Sequence, residues 1–599
     1  MQQSVFEHYT SVILELESIL KKKKQINFLL FILRFVSFIS IPVLLFLYVK
    51  FNTEYGYLIG SIAAFIVFII GVRIDSKNNF QISLLKNKIL VNETELQFLE
   101  HKFQDRSTGE TYSHFNPQLS GDFDIFGEGS LFQYLNRSST KTGERKLAEN
   151  LCRSERNAGQ IREKQSAIKE LSDKHDFRLN FQAYGLLFGE TGNEQTSLQT
   201  WLEEESPKLK ILILLSKIIP VVSFVWIGLV IFSVFTFSSL LWPILLNMSI
   251  VFLHMKIINN AHLKLGNTAK TFEKYKDLIK LIENEKFTSP KLKEIQKTLN
   301  SQGINASKSL ENLNKLLNSF DLRFNILVAF ILNSTVIFDI QVYCRLAQWK
   351  EKHKTLIPIW FNALSELDSM ISFAGFTFNN GEFITFPEIT KEGFLIEAQS
   401  LGHPILRPDI RICNDVIFKG KPAVMVITGA NMAGKSTFLR TISVNLLLAM
   451  NGAPVCAKKF VFTPCDIVSS IKIRDSLYKN ESYFYAELLR LQEIIKHVEN
   501  QPQTLVILDE ILRGTNTKDK QTGSLGILEK LISKNSIVII ATHDLLIGDL
   551  AKKYPEIVVN HCFEVELTND QLIFDYKLKD GISQKMNASF LMKKLEIID

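Results

Sequence analysis

Three stretches in the last third of the 599-residue chain carry residues whose types and spacing suit one chemistry. The first, "VMVITGANMAGKST" (424–437), contains G-x-x-x-x-G-K-S from Gly429 to Ser436. Gly429 and Gly434 permit a tight turn and a close backbone approach, so the N–H groups of a loop through Ala430, Asn431, Met432 and Ala433 can surround phosphate oxygens, with Thr437 on the helix that follows. Lys435 can reach the β- and γ-phosphates, and the Ser436 hydroxyl suits Mg²⁺. The second stretch, "TLVILDE" (504–510), ends on two carboxylates. Asp509 would hold the hydrated Mg²⁺, and Glu510 would polarise an attacking water as general base. Paired acids at a strand end can also cap the next helix, which is the structural alternative. The third, "IVIIATHD" (537–544), puts His543 where it can contact the γ-phosphate. A lone histidine is usually structural, and only its spacing from the other two motifs lifts it. The catalytic candidates are therefore Glu510, His543 and Lys435, the metal candidates Ser436 and Asp509, and the expected cofactors ATP and Mg²⁺.

Such residues work together only if a common frame aligns them. Each motif ends a short β-rich run, "VMVIT", "TLVILDE" or "IVIIAT", with helical sequence between the runs. That alternation is the signature of a parallel α/β sheet, whose strand ends would present all three motifs on one edge. An α/β domain is expected over 386–599.

These residues carry a resemblance. From "HPIL" (403–406) through "TGANMAGKST", "DEILRGTNTKD" (509–519) and "ATHD" (541–544), the chain resembles the ATPase domain of the MutS family, a branch of the ABC-type P-loop ATPases. "DSLYKNESYFYAELLRL" (475–491) is similar to that family's signature segment, and "GSLFQYLNRSSTKTGERKLAENL" (129–151) with "IREKQSAIKEL" (161–171) to the start of its helical core. The resemblance implies a homodimer with two composite ATP sites, in which Ser482 contacts the γ-phosphate bound by the partner. Ala430 and Ala433 stand where the family usually has Pro and Gly, which bears on rate, not on phosphate ligation. No mismatch-reading domain is expected before the core and no nuclease-like extension after the ATPase domain.

The rest of the chain departs from a soluble pattern. Hydrophobic residues make up 46% and charged ones 22%, but the apolarity is concentrated in blocks. Two runs within 26–75 and a block at 211–255 each approach or exceed the ~20 residues that cross a bilayer. They are apolar all round, unlike an amphipathic core helix. Arg34 would snorkel toward headgroups. Lys21 to Lys24 and Arg73 flank the first block, and Lys208, Lys210 and Lys256 the second, so the positive-inside bias puts both flanks in the cytoplasm. Two transmembrane hairpins, 26–75 and 209–256, are expected in the cytoplasmic membrane, with "TFSS" (236–239) as the second turn. The remaining segments are an N-terminal helix (1–25), a soluble helical region (76–208) and an all-α arm and core (257–385). "FNILVAFILNSTVIF" (324–338) is short and reads as a buried helix. Six scattered cysteines show neither a C-x-x-C pair nor metal-ligand spacing, which argues against structural zinc and a disulfide framework.

The second apolar block lies where DNA-clamping members of the family carry a lever and clamp. The reading that follows is a membrane-anchored ATPase whose dimer sites drive the helical arms and hairpins, with membrane lipid as a partner. The alternative keeps DNA as the partner, in repair or recombination at the membrane. A transporter ranks last, because the spans carry no deeply placed charge to line a path.

Overall fold

The long apolar blocks do not stand apart from the polar helices beside them. In this computed structural model the described residues are 2–51, 55–187, 200–204, 210–265, 269–391, 393–472, 483–568 and 571–583. Helix α1 (Gln2–Phe51) runs unbroken from a polar base to an apolar tip, and α2 (Tyr55–Leu99) returns antiparallel to it. Near the tip the Ser61 hydroxyl donates to the Ile41 carbonyl, and nearer the base the Lys23 ammonium donates to Gln81. Arg34 does not reach outward as expected: it pairs with Asp75 at 2.8 Å, because an opposite charge on the facing helix satisfies it within the hairpin.

The base of this hairpin is fixed in the helical core. Helices α3 (Lys141–Leu151), α4 (Ala158–Asp173) and α5 (His175–Gly185) begin that core. A second apolar pair follows, α6 (Lys210–Ile231) and α7 (Leu241–Leu265). Amphipathic helices α8 (Ala269–Asn284), α9 (Pro290–Leu299) and α10 (Ala306–Asp321) come next. Helices α11 (Ile326–Val336), α12 (Phe338–His353) and α13 (Leu356–Asn380) complete the run. Helix α13 is the axis, with Trp360, Phe373 and Phe376 inaccessible to solvent. At its end Asn379 accepts from the Tyr9 hydroxyl and donates to Glu95, which pairs with Arg137 at 3.0 Å. Both helices of the first hairpin are thereby locked to the core by buried polar bonds.

Among the described residues, four helical stretches, Gln3–Phe51, Tyr55–Leu99, Lys210–Ile231 and Phe237–Leu265, are long and apolar enough to cross a membrane. The expectation that 324–338 is a buried helix is wrong. In α11 Ile326 is 82% exposed and Leu327 76%, and Phe330 and Ile331 are exposed too, because the helix bends by 109° away from α10 instead of returning to the core.

The C-terminal part contains two sheets. A four-stranded sheet has the order β1-β5-β2-β3, from β1 (Glu388–Ile389), β2 (Leu395–Leu401), β3 (Asn414–Lys419) and β5 (Lys459–Phe462). The larger contains β4 (Ala423–Gly429), β6 (Asp466–Ser470), β7 (Thr504–Asp509), β8 (Ile537–Thr542), β9 (Val558–Thr568) and β10 (Gln571–Asp580), in the order β10-β9-β4-β8-β7-β6. Its pairs are parallel except β9 with β10. Helices α14 (Lys435–Met450), α15 (Tyr483–Asn500) and α16 (Thr517–Ser533) connect its strands. Every residue of β4, β7 and β8 is buried, as strands covered on both faces must be, which is why they read as continuous apolar runs. Thr428 pairs with Thr542 and Asp509 with Ala541, so the carboxyl ends of these three strands lie side by side. Ligands of open parallel sheets bind outside such ends.

Candidate functional site

The strand alignment gathers the three motifs around one cleft. Beyond β4 the chain turns through Gly429 at φ 151° and Gly434 at φ 104° and enters α14, whose first residue is Lys435. A side chain at Gly429 would collide with the Phe563 carbonyl 2.6 Å from its Cβ. The loop is thus pinned between β9 and α14, and only glycine fits its root. Met432 also has positive φ, 69°, and its side chain is exposed.

Lys435 is buried, and its Nζ donates to the carbonyls of Gly429 at 2.8 Å and Ala430 at 2.9 Å. It lies 3.6 Å from Glu510 Oε1. Burial pulls the Lys435 ammonium below the ordinary lysine range, and the carboxylates of Glu510 and Asp509 oppose that shift. Ser436 Oγ donates to Asp509 Oδ2 at 2.5 Å. Asp509 Oδ1 is buried and has no hydrogen-bond partner among the described residues. Burial raises the Asp509 carboxyl, with Ser436 and Arg513 pulling the other way. An oxygen pair with one unsatisfied carboxylate oxygen fits a hard divalent cation, which takes oxygen ligands and removes the cost of that burial.

Glu510 sits in the left-handed region at φ 48°, held by its N–H to the Ala541 carbonyl at 2.9 Å. Its neighbour Leu512 is also left-handed, at φ 60°. Strain of this kind persists only where the surroundings over-determine it, and it turns the Glu510 side chain toward Lys435 rather than along the strand. Burial pushes the Glu510 carboxyl up, but Lys435, Arg513 and His543 outweigh it and hold it below the usual range. It is therefore ionised at neutral pH and able to accept a proton. His543 Nδ1 is 3.4 Å from Glu510 Oε1, and its Nε2 is 3.2 Å from Lys520 Nζ. The N-cap alternative for the paired acids fails, because Asn516 caps α16.

Two contributors had no role in the sequence reading. Arg513 Nε donates to the Glu510 carbonyl at 3.0 Å and lies 3.6 Å from its carboxylate. Glu487, the acid within the 475–491 segment, is 1% exposed and accepts from the N–H groups of Leu512 at 2.6 Å and Arg513 at 3.2 Å. It fixes the strained turn after Glu510 to α15. The signal for Glu487 was present as an acid among apolar residues on a helix, but its partners lie 25 and 26 residues away. Ser482 lies outside the described residues.

The cleft has a volume of about 490 Å³ and includes Asn431, Met432, Gly434, Lys435, Ser436, Thr437 and Glu510. Its other wall is mainly apolar, from Leu406, Ile410, Ile412, Phe563 and Tyr576. A phosphate-sized polar end beside an apolar wall suits a nucleotide. The site is also tied to the helical core. Asp122 accepts from Ser469 Oγ and from Lys472 N–H, both at 2.7 Å, its carbonyl accepts from Arg440 Nε on α14 at 3.0 Å, and Asp124 pairs with Arg440 at 2.9 Å.

Comparison with known proteins gives two family matches, MutS domain III over residues 116–374 and MutS domain V over 425–593. Among individual relatives, the DNA mismatch repair protein MutS of Thermotoga petrophila is 27% identical over 323 residues, 53% of this chain and 36% of that protein. The MutS of Finegoldia magna is 35% identical over 207 residues, 33% of this chain and 24% of its own. The DNA mismatch repair protein MSH4 of Arabidopsis thaliana is 31% identical over 199 residues, again 33% and 24%. The matched region thus spans about a third or less of the length of these relatives.

Proposed function

The chain belongs to the MutS family, and from that premise and the geometry of the cleft we propose that it is a membrane-anchored ATPase that binds and hydrolyses ATP with Mg²⁺ at sites completed by a second copy. The observation that carries the proposal is the convergence of Lys435, Ser436, Asp509, Glu510 and His543 at adjacent strand ends. The loop 429–434 and the start of α14 bind the phosphates through backbone N–H groups and the helix dipole. Lys435, now satisfied by two loop carbonyls, is the cation that would turn to them. Ser436 and Asp509 would hold Mg²⁺, which supplies charge neutralisation on the phosphates. Glu510 takes the proton of the attacking water, while His543 and Arg513 keep its carboxylate charged and oriented. Arg513, fixed through Glu487, keeps that carboxylate next to Lys435.

The membrane part rests on the four long apolar helices and on the lysines and arginine at their bases, which favour a cytoplasmic ATPase domain. ATP closure and hydrolysis would move α14, and the bonds of Arg440 to the Asp122 carbonyl and to Asp124 would carry that motion into the core that holds the hairpins.

Purified full-length protein tests the site. Glu510→Gln should lower Mg²⁺-dependent ATP turnover by about 100-fold or more with nucleotide binding retained, the scale of losing a general base. Lys435→Ala should weaken binding itself. Unchanged turnover in both variants would overturn the assignment. A second reading, DNA as the partner of the helical arms, is supported by the relatives' names as DNA mismatch repair proteins. Its phosphate contacts would make binding fall steeply with salt, and a salt-independent, weak response would count against it.

A further inference from the structure

The apolar helix α11 has no place in a soluble core, and its path follows the second apolar hairpin. Helix α10 is amphipathic and packs Leu310, Leu313 and Leu317 inward, so it belongs to the polar side of the molecule. At residues 322–325 the chain bends by 109° and turns apolar. At that bend Asp321 meets His262 at 2.8 Å and Arg323 donates to Asn259 at 2.6 Å, both near the polar end of α7. At the other end of α11 the Ser334 carbonyl accepts from Asn247 Nδ2 at 2.7 Å. Asn259 and Asn247 lie twelve residues apart on α7, so α11 descends along it by about 18 Å at 1.5 Å per residue. The chain then reverses at Ile337, φ 45°, and α12 returns along α6, passing Cys344 beside Ser216 and ending with Lys350 on the Glu204 carbonyl.

The reversal is built for an apolar surrounding. Asn247 is 1% exposed, within the apolar part of α7, and also donates to Ser223 on α6 at 3.0 Å. Asn333 accepts from the Asp339 N–H at 3.0 Å, and Arg323 reaches Asp339 at 3.6 Å. Free backbone groups and charges within a bilayer persist only when protein satisfies them, and here side chains of α7 and of the hairpin itself do so. The outer face, by contrast, is Ile326, Leu327, Phe330 and Ile331, all exposed and continuous with the exposed apolar faces of α6 and α7.

We infer that residues 324–345 form a re-entrant helical hairpin that dips into the same bilayer as α6 and α7, turns at mid-depth beside Asn247, and leaves on the side it entered, with its α11 face against lipid acyl chains. This rests on the membrane reading proposed above. The hairpin occupies one leaflet only, and across the bend at 322–325 it joins α10, a helix of the arm.

The test uses full-length protein in phosphatidylcholine–phosphatidylglycerol vesicles, carrying an environment-sensitive fluorophore at one introduced cysteine in a Cys413→Ser background. The positions are Leu327→Cys or Ile331→Cys on α11, Phe224→Cys on α6 as the membrane reference, and exposed Lys308→Cys on α10 as the aqueous reference. The inference expects both α11 positions to be quenched several-fold more by acyl-chain doxyl lipid than Lys308→Cys and shielded from iodide, as Phe224→Cys is. Quenching of Phe224→Cys with iodide-accessible α11 positions overturns the re-entrant hairpin alone. Lack of lipid quenching at Phe224→Cys as well overturns the membrane reading with it. Shielding of α11 from both quenchers overturns lipid as the partner and assigns the face to protein, such as a second copy.

Discussion

Glu510 shows how a single residue is prepared for chemistry by groups far away in sequence. Its left-handed backbone turns the carboxylate toward Lys435, and the turn after it is held by the Glu487 carboxylate. Glu487→Ala leaves the buried Leu512 N–H unmatched, at a cost of about 1–3 kcal/mol, and frees the part-buried Arg513 N–H. The expected outcome is slower turnover with little change in ATP affinity, read from separate kinetic and equilibrium-binding measurements. Asp368 gives a second residue-level expectation. It is fully buried, and burial pushes its carboxyl up to about 6 despite hydrogen bonds from Ser139 and Thr140. Because the folded value lies above the unfolded one of about 3.9, the folded state keeps a proton that the unfolded state releases. That contribution is complete below about pH 4 and lost as pH rises through 6, a span of about 3 kcal/mol. Melting of wild type and Asp368→Asn between pH 4 and 7 checks it: wild type should lose ground to the variant as pH rises.

At the scale of elements, close approach of α3 to α13 sets the shape of the helical core. Gly143 sits where a Cβ would be 2.1 Å from Asp368 Oδ2, so the two helices touch backbone to side chain. Gly143→Ala must push α3 off α13 or displace the Asp368 carboxylate that holds the N-cap residue Thr140, a cost of about 1–3 kcal/mol for overpacking. A lowered melting temperature with the far-ultraviolet helical signal intact below the transition is the expected outcome. In the hairpin of α6 and α7, Asn247→Leu removes the donor to the Ser334 carbonyl. Measured by thermal unfolding in detergent, it should destabilise by about 1–3 kcal/mol, the penalty of an unmatched buried acceptor.

Across the whole molecule, the candidate cleft and the apolar helices are joined by a short series of polar contacts. Arg440 on α14 holds the Asp122 segment, that segment opens the helical core, and the core grips Tyr9 and Glu95 at the base of the first hairpin. The proposed motion of α14 on nucleotide binding would have this route outward. Arg440→Ala breaks the bonds to the Asp122 carbonyl and to Asp124 without removing a residue of the cleft wall. Nucleotide binding should survive, while ATP-dependent protection of the helical core from limited proteolysis should be lost.

Local pattern was enough to find what depends on local pattern. Gly429 to Ser436, the acids Asp509 and Glu510, and His543 stood out because glycine turns and polar residues that end continuous apolar runs are local features, and the sheet brings them to adjacent strand ends. The four long apolar helices were legible because a bilayer-length helix needs only length and composition. Tertiary structure decided whatever depends on partners remote in the chain. It paired Arg34 with Asp75, seated Glu487 under the turn after Glu510, and exposed the face of α11 that composition alone had assigned to the interior. An apolar run of eleven residues has the same composition in a core or against lipid; the bend at 322–325 and the Asn247 amide give α11 its place along α7, with the apolar face outward.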